Sequence, residues 1–220
     1  MRSAAGARRL LASGGMGPDT ALPSRDDAVA ILHEHVQDGN LRRHMLAVEA
    51  AMRRYAGELG ADPDRWGLAG LLHDFDWEIH PTIDAHPKEG VPILRERGVP
   101  EDVLQAILAH NTAGTGVERR EPMDYALLAC DEITGLVIAA TFVRPHKDVR
   151  QLSVKSIKRN WKDKLFAAGV DRAEVAEAVE DFSRACYGGG LELWQHAGNV
   201  LAAMQDAAET LELDGRMAAG

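Results

Sequence analysis

The feature that most constrains this chain is the pair His73-Asp74, which directly follows two leucines, Leu71 and Leu72. An imidazole and a carboxylate at the end of a helical apolar run can both turn toward one cation. Further potential ligands lie on either side, each in or beside an apolar run with helical spacing. They are His44, His86, His110 and Asp131. We therefore predict that these six side chains converge on one or two metal ions.

The composition favours an all-α fold. The chain has 220 residues, of which 45% are hydrophobic and only 5% aromatic, and alanine and leucine dominate the apolar runs. Strands enrich β-branched and aromatic residues instead. With no internal repeat, we predict one helical domain over residues 25–213. Its metal-site core spans about 40–140 and a basic, helical extension spans 144–213, with tails at 1–24 and 214–220.

Three predicted helices carry candidate ligands. One runs from Leu41 to Leu59 and includes His44, and a short one begins at Asp62-Pro63 and ends at His73-Asp74. The longest apolar helix, from Met123 to about Phe142, has Asp131 in its middle. A carboxylate inside such a run is costly unless it is paired or bound to a metal.

The net charge and the cysteine content indicate which partners and which cellular compartment to expect. The net charge of −9 argues against a nucleic-acid polymer as partner. Cys130 and Cys186 are too few for a disulfide scaffold and fit a reducing cytoplasm. No apolar run is expected to be long and uncharged enough to span a bilayer. Residues 1–24 are arginine-containing and poor in acids, which suits a disordered tail and, as an alternative, a transit peptide.

The ligand types define the metals that would bind. Imidazole and carboxylate together suit Mn, Fe, Zn, Ni or Mg. His44, His73, Asp74 and Asp131 are sufficient for one ion, and Asp74 could bridge to a second by using both oxygens. His86 and His110 would then bind that second ion or the substrate. The competing interpretation is that these are satisfied polar groups of a helical core, with His110 favoured simply by the helix dipole.

In this order, His44, His73-Asp74 and Asp131 resemble the H…HD…D signature of the HD-domain superfamily of metal-dependent phosphohydrolases. The intervening His86 and His110 resemble the extra ligands of its binuclear members. The resemblance covers about residues 40–140, and the later segments Asp131-Glu-Ile-Thr-Gly and Val143-Arg-Pro-His resemble uncharacterised bacterial HD proteins. No Gly-Tyr-Pro element follows His110, so the cyclic-di-GMP phosphodiesterase branch is not supported.

The resemblance implies hydrolysis of a phosphate ester in a nucleotide or small phosphometabolite. Asp74 would bridge the ions or orient the attacking water, and Asp76 would accept a proton. Four basic residues would hold the phosphate oxygens, although a solvated surface explains them equally well. They are Lys88, Lys155, Lys158 and Arg159. Two other functions fit the same centre: a mixed-valence di-iron oxygenase, and a non-catalytic module that binds a nucleotide or a partner protein.

Overall fold

The protein is described by a computed structural model that covers residues 22–218. This part of the chain contains ten α-helices and no strand, as the composition predicts. The predicted tail at 1–24 lies largely outside it, whereas residues 214–218 of the predicted tail at 214–220 are described and include a short 3₁₀ helix, Arg216–Ala218. The predicted domain limits stay a prediction. The helices are α1 (Arg25–His35), α2 (Gly39–Leu59), α3 (Pro63–Leu72), α4 (Val91–Glu96), α5 (Glu101–His110), α6 (Thr112–Thr115), α7 (Pro122–Phe142), α8 (Val154–Trp161), α9 (Arg172–Tyr187) and α10 (Leu193–Asp206).

The predicted helix starts are confirmed by their capping groups. The Ser24 hydroxyl accepts the Asp27 backbone N–H while the Asp27 carboxylate accepts the Ser24 N–H, which completes a capping box at α1. Asp62 and Asp171 accept backbone N–H groups in the first turns of α3 and α9. Gly60 ends α2 with φ of 75°, a left-handed conformation that glycine adopts without steric cost.

Helices α2 and α3 pack against each other with their backbones unusually close. The contact is made at Gly70 of α3, where a Cβ atom would lie 2.9 Å from the backbone nitrogen of Glu49 on α2. Only glycine fits at this separation. The close packing matters because α2 carries His44 and α3 ends at His73.

Helix α7 forms the centre of the bundle and contacts α2, α5, α9 and α10. By length and composition it could cross a membrane, contrary to the expectation that no apolar run would qualify. More than half of the residues in its most apolar stretch are nevertheless buried inside the protein. We therefore describe it as a core helix, and its apolar character follows from burial on several faces.

The C-terminal helix is shorter than the sequence predicts. The sequence predicts a last amphipathic helix from Leu191 to about Leu213, whereas α10 ends at Asp206. Leu211 and Leu213 are buried after the helix has ended, and the Leu213 carbonyl accepts the Val149 N–H at 2.8 Å. This long-range pairing competes with helix continuation and cannot be recognised from local periodicity.

A buried histidine joins three of the helices. His196 of α10 donates its Nε2 proton to the Ala129 carbonyl of α7 at 2.9 Å. Its Nδ1 atom therefore accepts the hydroxyl proton of Tyr55 on α2, at 2.6 Å. Burial lowers the pKa of His196 to about 4, and the hydrogen bond to Ala129 offsets this only in part.

This histidine should make the free energy of unfolding depend on pH. As the pH falls from about 6.5 to about 4, unfolded His196 takes up a proton that the folded state refuses, so stability falls by about 3 kcal/mol. We expect His196→Gln to lack this component, whereas the exposed His33→Gln keeps it. Urea unfolding at pH 7 and pH 4.5 measures the difference. A pH dependence in His196→Gln equal to that of the wild type would contradict the assignment.

Candidate metal centre

The six predicted ligands lie at the ends or middles of five different segments. His44 is on α2, His73 caps the C-terminal end of α3, and Asp74 follows it. His110 is the last residue of α5, and Asp131 is in the middle of α7. His86 lies on the segment between α3 and α4. The packing of these helices brings all six side chains together, as the sequence predicts.

One group of ligand atoms is centred on His44 and His73. Their Nε2 atoms are 3.3 Å apart, and Asp131 Oδ1 lies 2.9 Å from His44 Nε2 and 3.5 Å from His73 Nε2. Asp74 Oδ2 completes the group, 3.5 Å from His73 Nε2 and 3.9 Å from His44 Nε2. Ligand atoms that share one ion at bonds of about 2.0–2.2 Å lie roughly 3–4 Å apart, so this spacing suits a cation.

A second group uses the other oxygen of Asp74. Asp74 Oδ1 lies 3.0 Å from His86 Nε2 and 3.5 Å from His110 Nε2, and these two nitrogens are 3.1 Å apart. Asp74 therefore contributes one oxygen to each group. The arrangement suits two neighbouring cations bridged by a single carboxylate.

The orientation of the imidazoles supports ligation by their Nε2 atoms. His73 Nδ1 donates to the Gly70 carbonyl at 2.9 Å, His86 Nδ1 donates to Asp76 at 2.7 Å, and His110 Nδ1 donates to the Ile107 carbonyl. A neutral ring that holds its proton on Nδ1 presents a lone pair on Nε2. The Nε2 atoms of His86 and His110 are 3.1 Å apart, close enough to share one cation, either a proton or a metal ion. The donor set therefore fits divalent transition metals.

The carboxylates of the cluster stabilise positive charge on the neighbouring imidazoles. Burial opposes charge on His73, but Asp74 and Asp131 outweigh it and raise the pKa of His73 to about 9. Burial likewise opposes charge on His86, whose pKa is raised to about 9 by Asp74 and Asp76. The pKa of Asp74 is lowered well below its usual value, because His73 and the other imidazoles outweigh the effect of burial. Its carboxylate therefore stays ionised.

Asp76 is fully buried and holds His86 in place. Its Oδ1 atom accepts the His86 Nδ1 proton, and the adjacent Gly90 leaves the room its carboxylate needs, since a Cβ there would lie 2.4 Å from Oδ2. Asn111 also donates to the carbonyl oxygens of Ile83 and His86, at 2.8 and 2.6 Å. These contacts fix an otherwise irregular segment beside the end of α5.

Replacing Asp76 should weaken the second ligand group selectively. We expect Asp76→Ala to lower metal affinity there about 10–100-fold, because His86 loses the acceptor that orients its ring. The group around His44 should keep its affinity within the same protein. Metal titration of the metal-free protein, followed by calorimetry, measures the two groups as separate binding steps. Glu89→Ala, at an exposed position on the same segment, is the matched control, and equal affinities in the two variants would refute the role of Asp76.

A cavity of about 520 Å³ lies beside the two groups. Its lining includes Asp74, Asp131, His86 and His110, but neither His44 nor His73. Two residues that the sequence analysis did not single out also line it, Arg119 from the polar loop before α7 and Glu132 beside Asp131. Burial and the charge of Asp131 raise the pKa of Glu132 to about 8. Glu132 could have been predicted to lie at the cavity because it directly follows Asp131. Arg119 could not, because nothing in the sequence around Arg119 distinguishes it.

The structure does not bring the four predicted phosphate-binding residues to this cavity. Lys88 is exposed and does not line it. Lys155, Lys158 and Arg159 lie on α8, which packs against α7 and α10, and they line a different cavity with Lys162. The Lys158 ammonium lies over the Trp194 ring, 5.1 Å from its centre. Their role at the metal centre therefore has no structural support.

The fold and the site geometry thus define the protein as all-helical, with histidines and aspartates clustered beside a cavity. Residues 41–134 match the model of the HD domain family, and this segment contains all six predicted ligands. The match covers less than half of the chain and assigns this segment to the HD domain family, whose members are generally metal-dependent hydrolases.

Curated relatives match over part of the chain. Ribonuclease Y of Nitratidesulfovibrio vulgaris (strain DP4) is 36% identical over 73 residues, which is 33% of this chain and 14% of the relative. Ribonuclease Y of Oleidesulfovibrio alaskensis is 29% identical over 97 residues, or 44% of this chain and 18% of the relative. The chain thus spans less than a fifth of the length of these relatives. No solved structure matches it significantly.

Proposed function

We propose that the protein is a phosphohydrolase that cleaves a phosphate ester of a nucleotide or small phosphometabolite with metal-activated water. One observation carries the proposal: two adjacent groups of candidate ligands share Asp74, which lines the cavity together with Asp131, His86 and His110. Divalent ions held by these groups would supply an activated water and neutralise charge on the phosphate. Mn, Fe, Zn and Ni suit a set of imidazole and carboxylate donors, whereas Mg, the remaining candidate, prefers oxygen ligands and suits it less well.

The roles of the surrounding residues follow from their contacts. Asp74 would hold both ions through its two oxygens. Asp76 acts as a positioning residue, since its Oδ1 atom already accepts the proton of His86 and is shielded from the cavity. Trp77 and Ile83 give the cavity an apolar edge, against which a nucleoside or sugar could pack.

The proposed partner is a small phosphorylated substrate, for which a cavity of about 520 Å³ has a suitable size. The names of the relatives make RNA the competing substrate. We also propose a cytoplasmic location, which is supported by the two buried and unpaired cysteines, Cys130 and Cys186.

Phosphate release from a broad panel of substrates tests this proposal. Protein loaded in turn with each candidate metal should hydrolyse at least one nucleotide or sugar phosphate, and His73→Ala should abolish the activity. His33→Ala, which replaces an exposed histidine outside the cluster, should retain it. A short RNA belongs in the panel as the competing substrate.

Two outcomes would contradict the proposal. Oxygen consumption together with a di-iron spectroscopic signal, without phosphate release, would indicate the oxygenase. Binding of nucleotides in a thermal-shift screen, with no phosphate released from any substrate, would indicate the non-catalytic module.

A further inference from the structure

The cavity beside the metal centre contains very little positive charge of its own. Arg119 is the only lysine or arginine among its lining residues, within the part of the chain that the structure describes. The carboxylate side chains around it are far more numerous. They are Asp74, Asp131, Glu174, Glu177 and Asp181. An anionic substrate entering this cavity would therefore meet one protein cation, in addition to any bound metal.

Arg119 is fixed in position by one of its terminal nitrogens. Its Nη1 atom donates to the Ala109 carbonyl and to the Thr112 hydroxyl oxygen, both at 3.2 Å. Thr112 Oγ1 in turn donates to the carbonyls of Ala109 and Val117. The arginine is thus tied to the end of α5, directly beside His110. An anchored guanidinium loses less conformational entropy when a ligand binds than a free one does.

The opposite edge of the guanidinium is open. Neither Nε nor Nη2 makes a hydrogen bond within residues 22–218, and the nearest carboxylate, Asp181 Oδ2, is 4.0 Å from Nη2. Asp181 already accepts a hydrogen bond from Arg184 through its other oxygen. The Arg119 side chain is 22% exposed. Its Nε and Nη2 protons form the fork that binds two oxygens of a phosphate at once.

We propose that Arg119 binds the anionic group of the substrate in this cavity, and that the surrounding acids restrict the substrate to a small phosphate ester rather than a nucleic-acid chain. This inference rests on the proposed function and names its substrate class. The acids of α9 line the cavity, and Glu174 and Glu177 are exposed, so successive phosphates of a polymer would meet their negative charge. A single phosphate held between Arg119 and the metal centre avoids this repulsion.

Binding of inorganic phosphate to the metal-loaded protein tests the role of Arg119 without requiring any hydrolysis. We expect Arg119→Ala to weaken phosphate binding about 10–100-fold, because a charge-assisted, bidentate contact is lost. Arg119→Lys should recover part of the affinity, since it keeps the charge and loses the fork. The matched control is Arg120→Ala, which removes a neighbouring, exposed arginine that does not line the cavity.

Metal content distinguishes substrate binding from a structural role. Arg119→Ala should retain the metal stoichiometry of the wild type, which shows that His110 is still in place. Equal phosphate affinities in Arg119→Ala and Arg120→Ala would overturn the proposal, and so would a wild type that binds no phosphate at millimolar concentration. Phosphate binding that depends on Arg119 in a protein that hydrolyses no ester would uphold this inference while refuting the proposed function.

The role of the acidic residues that α9 contributes to the cavity can be tested separately. The double variant Glu174→Gln, Glu177→Gln should bind a short RNA more tightly than the wild type by several-fold at low salt, because screening is then weakest. The affinity for inorganic phosphate should change less. Tighter binding of RNA than of a mononucleotide by the wild-type protein would overturn the assigned substrate class.

Discussion

Replacing Asp74 with asparagine is expected to weaken both metal sites at once and to abolish hydrolysis. Asp74 is the only one of the six ligands with an atom in each group, 3.5 Å from His73 Nε2 and 3.0 Å from His86 Nε2. Asparagine keeps the size of the side chain but removes its negative charge. We expect a loss of affinity of at least about 100-fold at both sites, beyond the range found for residues that only orient a ligand.

Elemental analysis and metal titration measure this effect. Asp84→Asn, at an exposed position on the segment that follows α3, is the matched control and should bind metal like the wild type. His110→Ala should differ from Asp74→Asn by weakening only the second group. An Asp74→Asn protein that still bound two ions with wild-type affinity would show that Asp74 does not bridge the groups.

A single methyl group at position 70 is expected to disturb both the fold and the metal centre. In Gly70→Ala the new Cβ would lie 2.9 Å from Glu49 N and 3.0 Å from Glu49 Cα, and neither backbone atom can move alone. Helices α2 and α3 must separate, which should lower the free energy of unfolding by about 1–3 kcal/mol. The same movement draws His44 away from His73, so the affinity of the first group should fall.

Gly57→Ala provides the control within α2. A Cβ at this exposed helical position would have nothing within 4 Å, so the change should be neutral or should stabilise the protein by up to about 1 kcal/mol. Chemical denaturation and metal titration of both variants measure the contrast. If Gly70→Ala matched Gly57→Ala in both measurements, close packing of the two helices would not be what holds the centre together.

The helices and the six candidate ligand positions were predictable because their signals are local. Apolar spacing and capping residues define α2, α3, α7 and α9 to within a few residues, and burying Asp131 in an apolar helix is costly enough to require compensation. His73 and Asp74 could be placed at one site because they follow the last residue of α3, where neighbouring side chains need not diverge.

The phosphate-binding residues could not be predicted in the same way. Lys155, Lys158 and Arg159 form a dense local cluster of charge, yet the packing of α8 takes them to another cavity. Arg119 lies in a polar loop with no distinguishing pattern, and its place beside the metal centre results from contacts with Ala109 and Thr112. Charge density is a property of the sequence, whereas convergence on a cavity depends on tertiary packing.

The most direct test of the two-ion centre is a crystal structure of the manganese-loaded protein with anomalous scattering data. We expect two peaks about 3.5–4 Å apart, as in other two-metal sites. One should be bound by His44, His73 and Asp131, the other by His86 and His110, and Asp74 should contact both. A metal-loaded crystal with no ion in contact with Asp74 would contradict the account.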